Sequence, residues 1–384
     1  MNRIVLFFIL CLPTFGKTFG QTIYKPKYLN YQLDSSVKTS ILTSLDTLFS
    51  QLKSNKLDTL LLGKGSGDFN VLKSFKGIED NKKDSIENFY KKQLINIYPI
   101  STNQYWISLA FIGSKNNEPP ILKAILNLIA TNNSDKITFS IPLNILTKTW
   151  KSKEIGNITY YFRDKINLKR AKKFNEKNKI ISTKLGLIPE KFKFYMCNNY
   201  QEISQLLGYE YDLENNGMTR DGYGVDNNMI FSTMNNEDFS HDLFHYYSDK
   251  FRQQKGNRTV EEGIAYSWGN AYYTSSNGAM IEQNELVRSL KLYLKDNPTI
   301  NVFQLFSKDT KIFNNIATEI SVKSTISSLL CDEVEKQNGV EGIKALIKCG
   351  RGDENFFKTL DSLISINKTN FDDRVMKLIA GYRK

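Results

Sequence analysis

Histidine is almost absent from this chain: 384 residues hold two. No chemistry that needs a third imidazole can therefore be built here. Cysteine is scarce too, with Cys11, Cys197, Cys331 and Cys349 as the full complement. So few cannot form a disulfide scaffold, and their spacings fit no metal knuckle. Cys331 and Cys349 could pair if the last helices bring them together. The commoner reading is that Cys197, Cys331 and Cys349 are buried small apolar residues. No GxSxG segment is present, and no phosphate-binding loop. "GKGSGD" at 63–68 is glycine-rich but lacks the GK[ST] ending, so it reads as a turn. Beyond residue 12 no apolar run approaches the ~20 residues needed to span a bilayer, and no stable membrane insertion is expected. The formal charge is +12, yet the lysines are scattered and no nucleic-acid motif accompanies them. That pattern predicts a solvated surface and no nucleic-acid partner.

What is present begins with a leader. Arg3 precedes an unbroken apolar run from Ile4 to Leu12, and Thr18 and Gly20 are small residues at the positions of a cleavage site. The expectation is a signal peptide over 1–20 and export to a periplasmic or extracellular space. Residues 21–150 read as an α+β accessory domain. "SSVKTSILTSLDTLFSQLKSN" places Val37, Ile41, Leu45, Leu48, Phe49 and Leu52 on one helical face. "KKDSIENFYKKQ" predicts a second amphipathic helix. "QYWISLAFIG" predicts a strand, and "PPILKAILNLIATNNSDKITFSIPLN" a hairpin turning at 132–135. Helices followed by a long-stranded meander form an order that resembles the NTF2-like fold, which implies a curved sheet wrapped on a helix. Residues 151–190 read as a connecting strand, "GNITYYFRDKI", and a basic amphipathic helix closed by Gly186. From 191 to 384 the pattern is a small sheet, a histidine-bearing helix and a mostly helical remainder. "VDNNMIFST" reads as the strand before that helix, and "YDLENNGMTRDGYG" as a loop.

The two histidines lie in "NNEDFSHDLFHYYSDKF". His241 and His245 are four apart, so on a helix both imidazoles face the same way. Two histidines placed at random in this length would show that spacing about once in 200, which lowers the chance of coincidence. A catalytic zinc takes three protein ligands. The third is expected from "RTVEEGIAYSWGNAYY", where Glu262 follows His245 by 17 residues. The small Gly263 and Ala265 would let that helix pack closely on the histidine helix. Glu261 is the rival, facing another side of its helix.

"HDLFHY" followed by "EEGIAYSWG" resembles the gluzincin metallopeptidases, whose pattern is HExxH on one helix and a glutamate on the next. The resemblance covers roughly 191–384. It implies a zincin-like domain, zinc held by His241, His245 and Glu262, and hydrolysis of a peptide or protein substrate through metal-activated water. It also implies that "VDNNMIFST" is an edge strand along which a peptide lies. Two positions depart from the family. Asp242 stands where the family has its glutamate base, one methylene shorter, and a misplacement of about 1 Å can cost about 100-fold. Either Asp242 acts as the base, or the domain binds zinc or peptide without efficient turnover. A metal-free exported binding protein is the third reading. Tyr266 stands where family members often carry an acid that orients a histidine. A backbone carbonyl or Asp249 could take that role, while Tyr266, Tyr272 or Tyr273 could donate to an oxyanion. The oligomeric state is not legible in the sequence.

Overall fold

A computed structural model describes residues 22–27, 33–62, 68–115, 118–133, 136–218, 222–226, 228–252, 255–274 and 278–382. The expected leader and its expected cleavage position, residues 134–135 of the expected hairpin turn and 63–67 of "GKGSGD" lie outside the described residues. The protein is α+β and divides into two compact units, 1–142 with 207–216, and 143–206 with 217–384.

In the first unit, helix α1 (Ser35–Lys53) is capped by Asp34, whose carboxylate accepts the Ser36 N–H. Its Ile41, Leu45, Leu48, Phe49 and Leu52 are buried, as the 3.6-residue spacing predicts. Two short helices follow, α2 (Asp68–Ser74) and α3 (Lys76–Glu79). The helix expected over "KKDSIENFYKKQ" is absent. The segment is a two-residue ladder, β1 (Lys82–Lys83) with β2 (Ile86–Glu87), leading into β3 (Lys91–Pro99). Asp84, Ser85 and Asn88 take positive φ, which ends any helix, and the Asn81 side-chain amide ties the turn to the Tyr90 backbone, accepting from its N–H at 2.8 Å and donating to its carbonyl at 3.2 Å. β4 (Gln104–Gly113), β5 (Ile121–Asn133) and β6 (Lys136–Ser140) complete an antiparallel meander. Its other edge is β10 (Tyr209–Asp212), whose last two residues begin the segment read as a loop.

The second unit carries a mixed five-stranded sheet. After α4 (Leu143–Leu146), β7 (Lys151–Ile155) and β8 (Ile158–Phe162) form a hairpin. α5 (Leu168–Lys184) then crosses to β9 (Phe192–Met196), which pairs parallel with β8. Residues 151–190 are thus built into this sheet as a β-α-β crossover rather than lying as a free connector. α6 (Tyr200–Leu206) follows. "VDNNMIFST" is not one strand: Asn228, at φ 60°, turns β11 (Gly222–Asp226) back into β12 (Met229–Ser232). The sheet order is β11-β12-β9-β8-β7, so the edge strand is β11 and Met229–Ser232 lie inside the sheet. The remainder is helical: α7 (Ser240–Arg252), α8 (Arg258–Ile264), α9 (Gln283–Asp296), α10 (Val302–Ser307), α11 (Val322–Ile347), α12 (Asp353–Ile364) and α13 (Phe371–Gly381). α11 is broken at Gly339, whose φ of 63° and ψ of −162° lie outside the helix. Cys197, Cys331 and Cys349 are free thiols, the first two buried. Among the described residues no helix is long and apolar enough to cross a membrane.

Candidate metal centre

Helix α7 is fixed at its start by Asp238, whose Oδ1 accepts the Ser240 N–H at 2.9 Å. Phe239, Leu243, Phe244 and Tyr247 are fully buried, and Phe239 meets Phe194 of β9 edge-on. That apolar stripe orients the helix. His241 and His245 are left on another face, with ring centroids 4.9 Å apart. Glu262 comes from α8, started by Asn257, whose Oδ1 accepts the N–H groups of Thr259 and Val260.

The three side chains converge. His241 Nε2 and His245 Nε2 are 3.2 Å apart. Glu262 Oε2 lies 3.6 Å from the first nitrogen, and Oε1 3.7 Å from the second. Ligand atoms bound at about 2.0–2.1 Å in a tetrahedron are about 3.3–3.4 Å apart, close to these separations. His241, His245 and Glu262 form a group that could hold a metal ion.

Both imidazoles are held from behind. His241 Nδ1 lies 3.0 Å from the backbone carbonyl of Asn270, so it carries the proton and donates. His245 Nδ1 lies 3.3 Å from Glu261 Oε2, and a carboxylate only accepts, so this nitrogen is protonated too. Glu261 is itself fixed by Ser248 Oγ and Arg252 Nη1, each donating at 2.8 Å. The side of α8 that makes Glu261 a poor ligand makes it the partner of His245. Of the expected orienting groups, a backbone carbonyl serves His241. Asp249 instead pairs with Arg252 and reaches neither ring.

With both Nδ1 atoms protonated, both Nε2 lone pairs point inward. Two lone pairs 3.2 Å apart repel unless a cation lies between them. Burial, and then the neighbouring His245, push His241 down to about 3, so it is neutral at physiological pH. Burial would lower His245, but the Glu261 hydrogen bond and the Glu262, Glu261 and Asp242 charges carry it above its ordinary value. The gap thus takes either a metal ion or a proton on His245.

The centre lies in a cavity of about 700 Å³ that is also lined by Asp242, Tyr266, Tyr272, Tyr273 and Arg258. The Asp242 carboxylate accepts no hydrogen bond among the described residues. Burial raises its pKa to about 6, with Glu262 adding to the rise and His245 opposing it. Tyr266 belongs to a π-helical segment, Ala265–Gly269, that continues α8. Its ring is 5.8 Å from that of His241, and burial, with Glu262 close by, keeps the phenol protonated. Every residue singled out as catalytic or metal-binding is therefore at one site. The packing role expected of Gly263 is different. A Cβ there would lie 2.8 Å from Ser327 of α11, so Gly263 serves the contact with α11. The close approach to the histidine helix is made by Gly269, where a Cβ would fall 2.8 Å from Ser240 O and 3.0 Å from His241 N.

Sequence reasoning did not assign Glu261 and Asn270 as orienting groups. Glu261 was legible as a neighbour of the ligand. Asn270 acts through its carbonyl, which carries no side-chain signal. Compared with known proteins, the chain matches no family model and no curated protein.

Proposed function

We propose that the chain is an exported zinc-dependent hydrolase of peptide bonds, similar in its site to the gluzincin metallopeptidases. The observation that carries this reading is the convergence of three oriented donors, two imidazole Nε2 atoms and a carboxylate, with Asp242 lining the same cavity. The donor set suits zinc, which takes nitrogen and carboxylate ligands and keeps a fourth position open in catalytic sites. Zinc bound there would polarise the scissile carbonyl and acidify water. His241 and His245 would hold it through Nε2, and Glu262 through its carboxylate.

Asp242 acts as the base. Burial raises the Asp242 carboxyl in the metal-free site, and the charge of a bound zinc would favour its ionised form, which is the form that accepts a proton. It takes a proton from the attacking water as the water oxygen bonds to the carbonyl carbon. It returns that proton to the amide nitrogen as the C–N bond breaks. Tyr266, kept protonated by burial, donates a hydrogen bond to the oxyanion that develops between these steps. The N-terminal leader pattern supports export.

The test is cleavage of a broad peptide library by the zinc-loaded protein. Cleavage that a chelator abolishes and zinc restores is the expected result. Zinc binding without any cleavage, in wild type and in Asp242→Glu, would contradict the hydrolase reading. It would leave the second one, a domain that binds metal or peptide and does not turn over. The shorter Asp242 is the observation that favours this alternative.

A further inference from the structure

One ammonium sits where the segments that supply the centre meet. Lys177, on α5, donates to Asp238 Oδ2 at 3.0 Å, to Ser240 Oγ at 3.0 Å and to the Gly269 carbonyl at 2.8 Å. An ammonium has three protons, and each has an acceptor. Asp238 and Ser240 open the histidine helix. Gly269 closes the π-helical segment and precedes Asn270. Asn270 is fully buried. Its amide nitrogen donates to Ser240 Oγ at 2.9 Å and Asp238 Oδ1 at 3.2 Å, and its carbonyl accepts from His241 Nδ1 at 3.0 Å. The loop is closed: Lys177 bridges the two segments, Asn270 bridges them again, and the same Asn270 carbonyl holds the imidazole.

We propose that Lys177 is a positioning residue for His241. By clamping the Gly269 carbonyl to the start of α7, it keeps the Asn270 carbonyl where it fixes His241 as the Nδ1–H tautomer, with Nε2 turned into the centre. A lysine that only neutralised Asp238 would leave the tautomer unaffected by its loss. The metal arm of the test rests on the proposed function, whereas the tautomer arm does not.

The chain's two histidines make the measurement clean. In metal-free protein labelled with ¹⁵N-histidine, NMR above the titration midpoint of His245, where no Nε2 proton of His245 can hold His241 Nε2, reads the tautomer of each ring. The wild type should show His241 as one Nδ1–H species. Lys177→Met combined with Asp238→Asn removes both charges and leaves an amide oxygen at the helix start. In that variant His241 should become a mixture of tautomers while His245 is unmoved. Zinc affinity should fall about 10- to 100-fold, the usual effect of losing an outer partner of a ligand. An unchanged His241 tautomer in the folded double variant overturns the proposal. Should that variant not fold, Lys177→Arg decides. It keeps the charge, but a planar guanidinium cannot serve three acceptors arranged around an ammonium. The same mixing is expected there, and an unaltered tautomer again overturns the proposal. Tautomer mixing without zinc binding in any form, wild type included, would remove the metal reading and leave the positioning role standing.

Discussion

At the scale of single residues, the site is decided by where protons can sit. Each imidazole has one nitrogen committed to a partner behind it, so each presents its other nitrogen to the centre. Glu261 is predicted to matter as much as a ligand would suggest while touching no metal. Glu261→Gln should lower zinc affinity about 10-fold or more and leave the stoichiometry reachable at excess zinc, measured by competition with a chromophoric chelator. Asp242 makes the opposite prediction. Asp242→Asn should keep zinc content unchanged and reduce peptide turnover at least ~100-fold, because it would remove the proposed base and no proposed ligand. A loss of zinc with it would make Asp242 a ligand and sink the assignment.

At the scale of elements, the histidine pair and Glu262 were legible because their signals are local. A four-residue spacing fixes two side chains on one helical face, and the next helix offers few acids. What was not legible depends on how helices are turned against each other. Gly263 read as the packing residue toward α7, yet α8 presents it to Ser327 of α11. Lys177 lies far upstream on a helix that read as a basic surface element, and only the fold brings it to Asp238. The charge-rich "KKDSIENFYKKQ" mimics an amphipathic helix, and the left-handed backbone at three of its positions is not encoded in that periodicity. Gly263→Ala should destabilise the second unit by about 1–3 kcal/mol through overpacking against α11, read by urea unfolding. A second tie between elements is Glu190. Burial alone would raise its pKa, but Lys250, Tyr246 and Asn228 together hold it below 4.5. A carboxyl lowered in the folded state contributes stability above about pH 4.5, and that contribution disappears as pH falls through the lower folded value. The melting difference between wild type and Glu190→Gln should therefore be present at pH 7 and shrink toward pH 3. A difference that grows with acid would contradict the assigned direction.

At the scale of the whole molecule, the two units have separate cores, and a defect in one need not reach the site in the other. In the first unit Lys92 and Glu79, 1% and 2% exposed, form an ion pair at 2.6 Å, with Lys92 also over the Phe49 ring. Removing one partner strands a buried charge, so Glu79→Ala should cost about 3–5 kcal/mol. Its zinc affinity should match wild type at temperatures where the protein remains folded, since no ligand or orienting residue lies in that unit. Zinc itself should stabilise the second unit by mass action, raising its melting temperature as free zinc rises above the dissociation constant. The α+β class and the helical C-terminal part were readable from periodicity. The return of Tyr209–Asp212 to the first sheet as β10 was not, because these residues fall between a helix and a segment that reads as a loop.

His241, His245 and Glu262 form a group that could hold a metal ion, and whether it does is measurable. Zinc content of the purified protein, measured beside His245→Ala after dialysis at neutral pH, tests it most directly. About one zinc per chain is expected in the wild type and none in the variant. No zinc in either protein, even after incubation with excess metal, would mean that the gap between the imidazoles holds a proton, and would contradict the account.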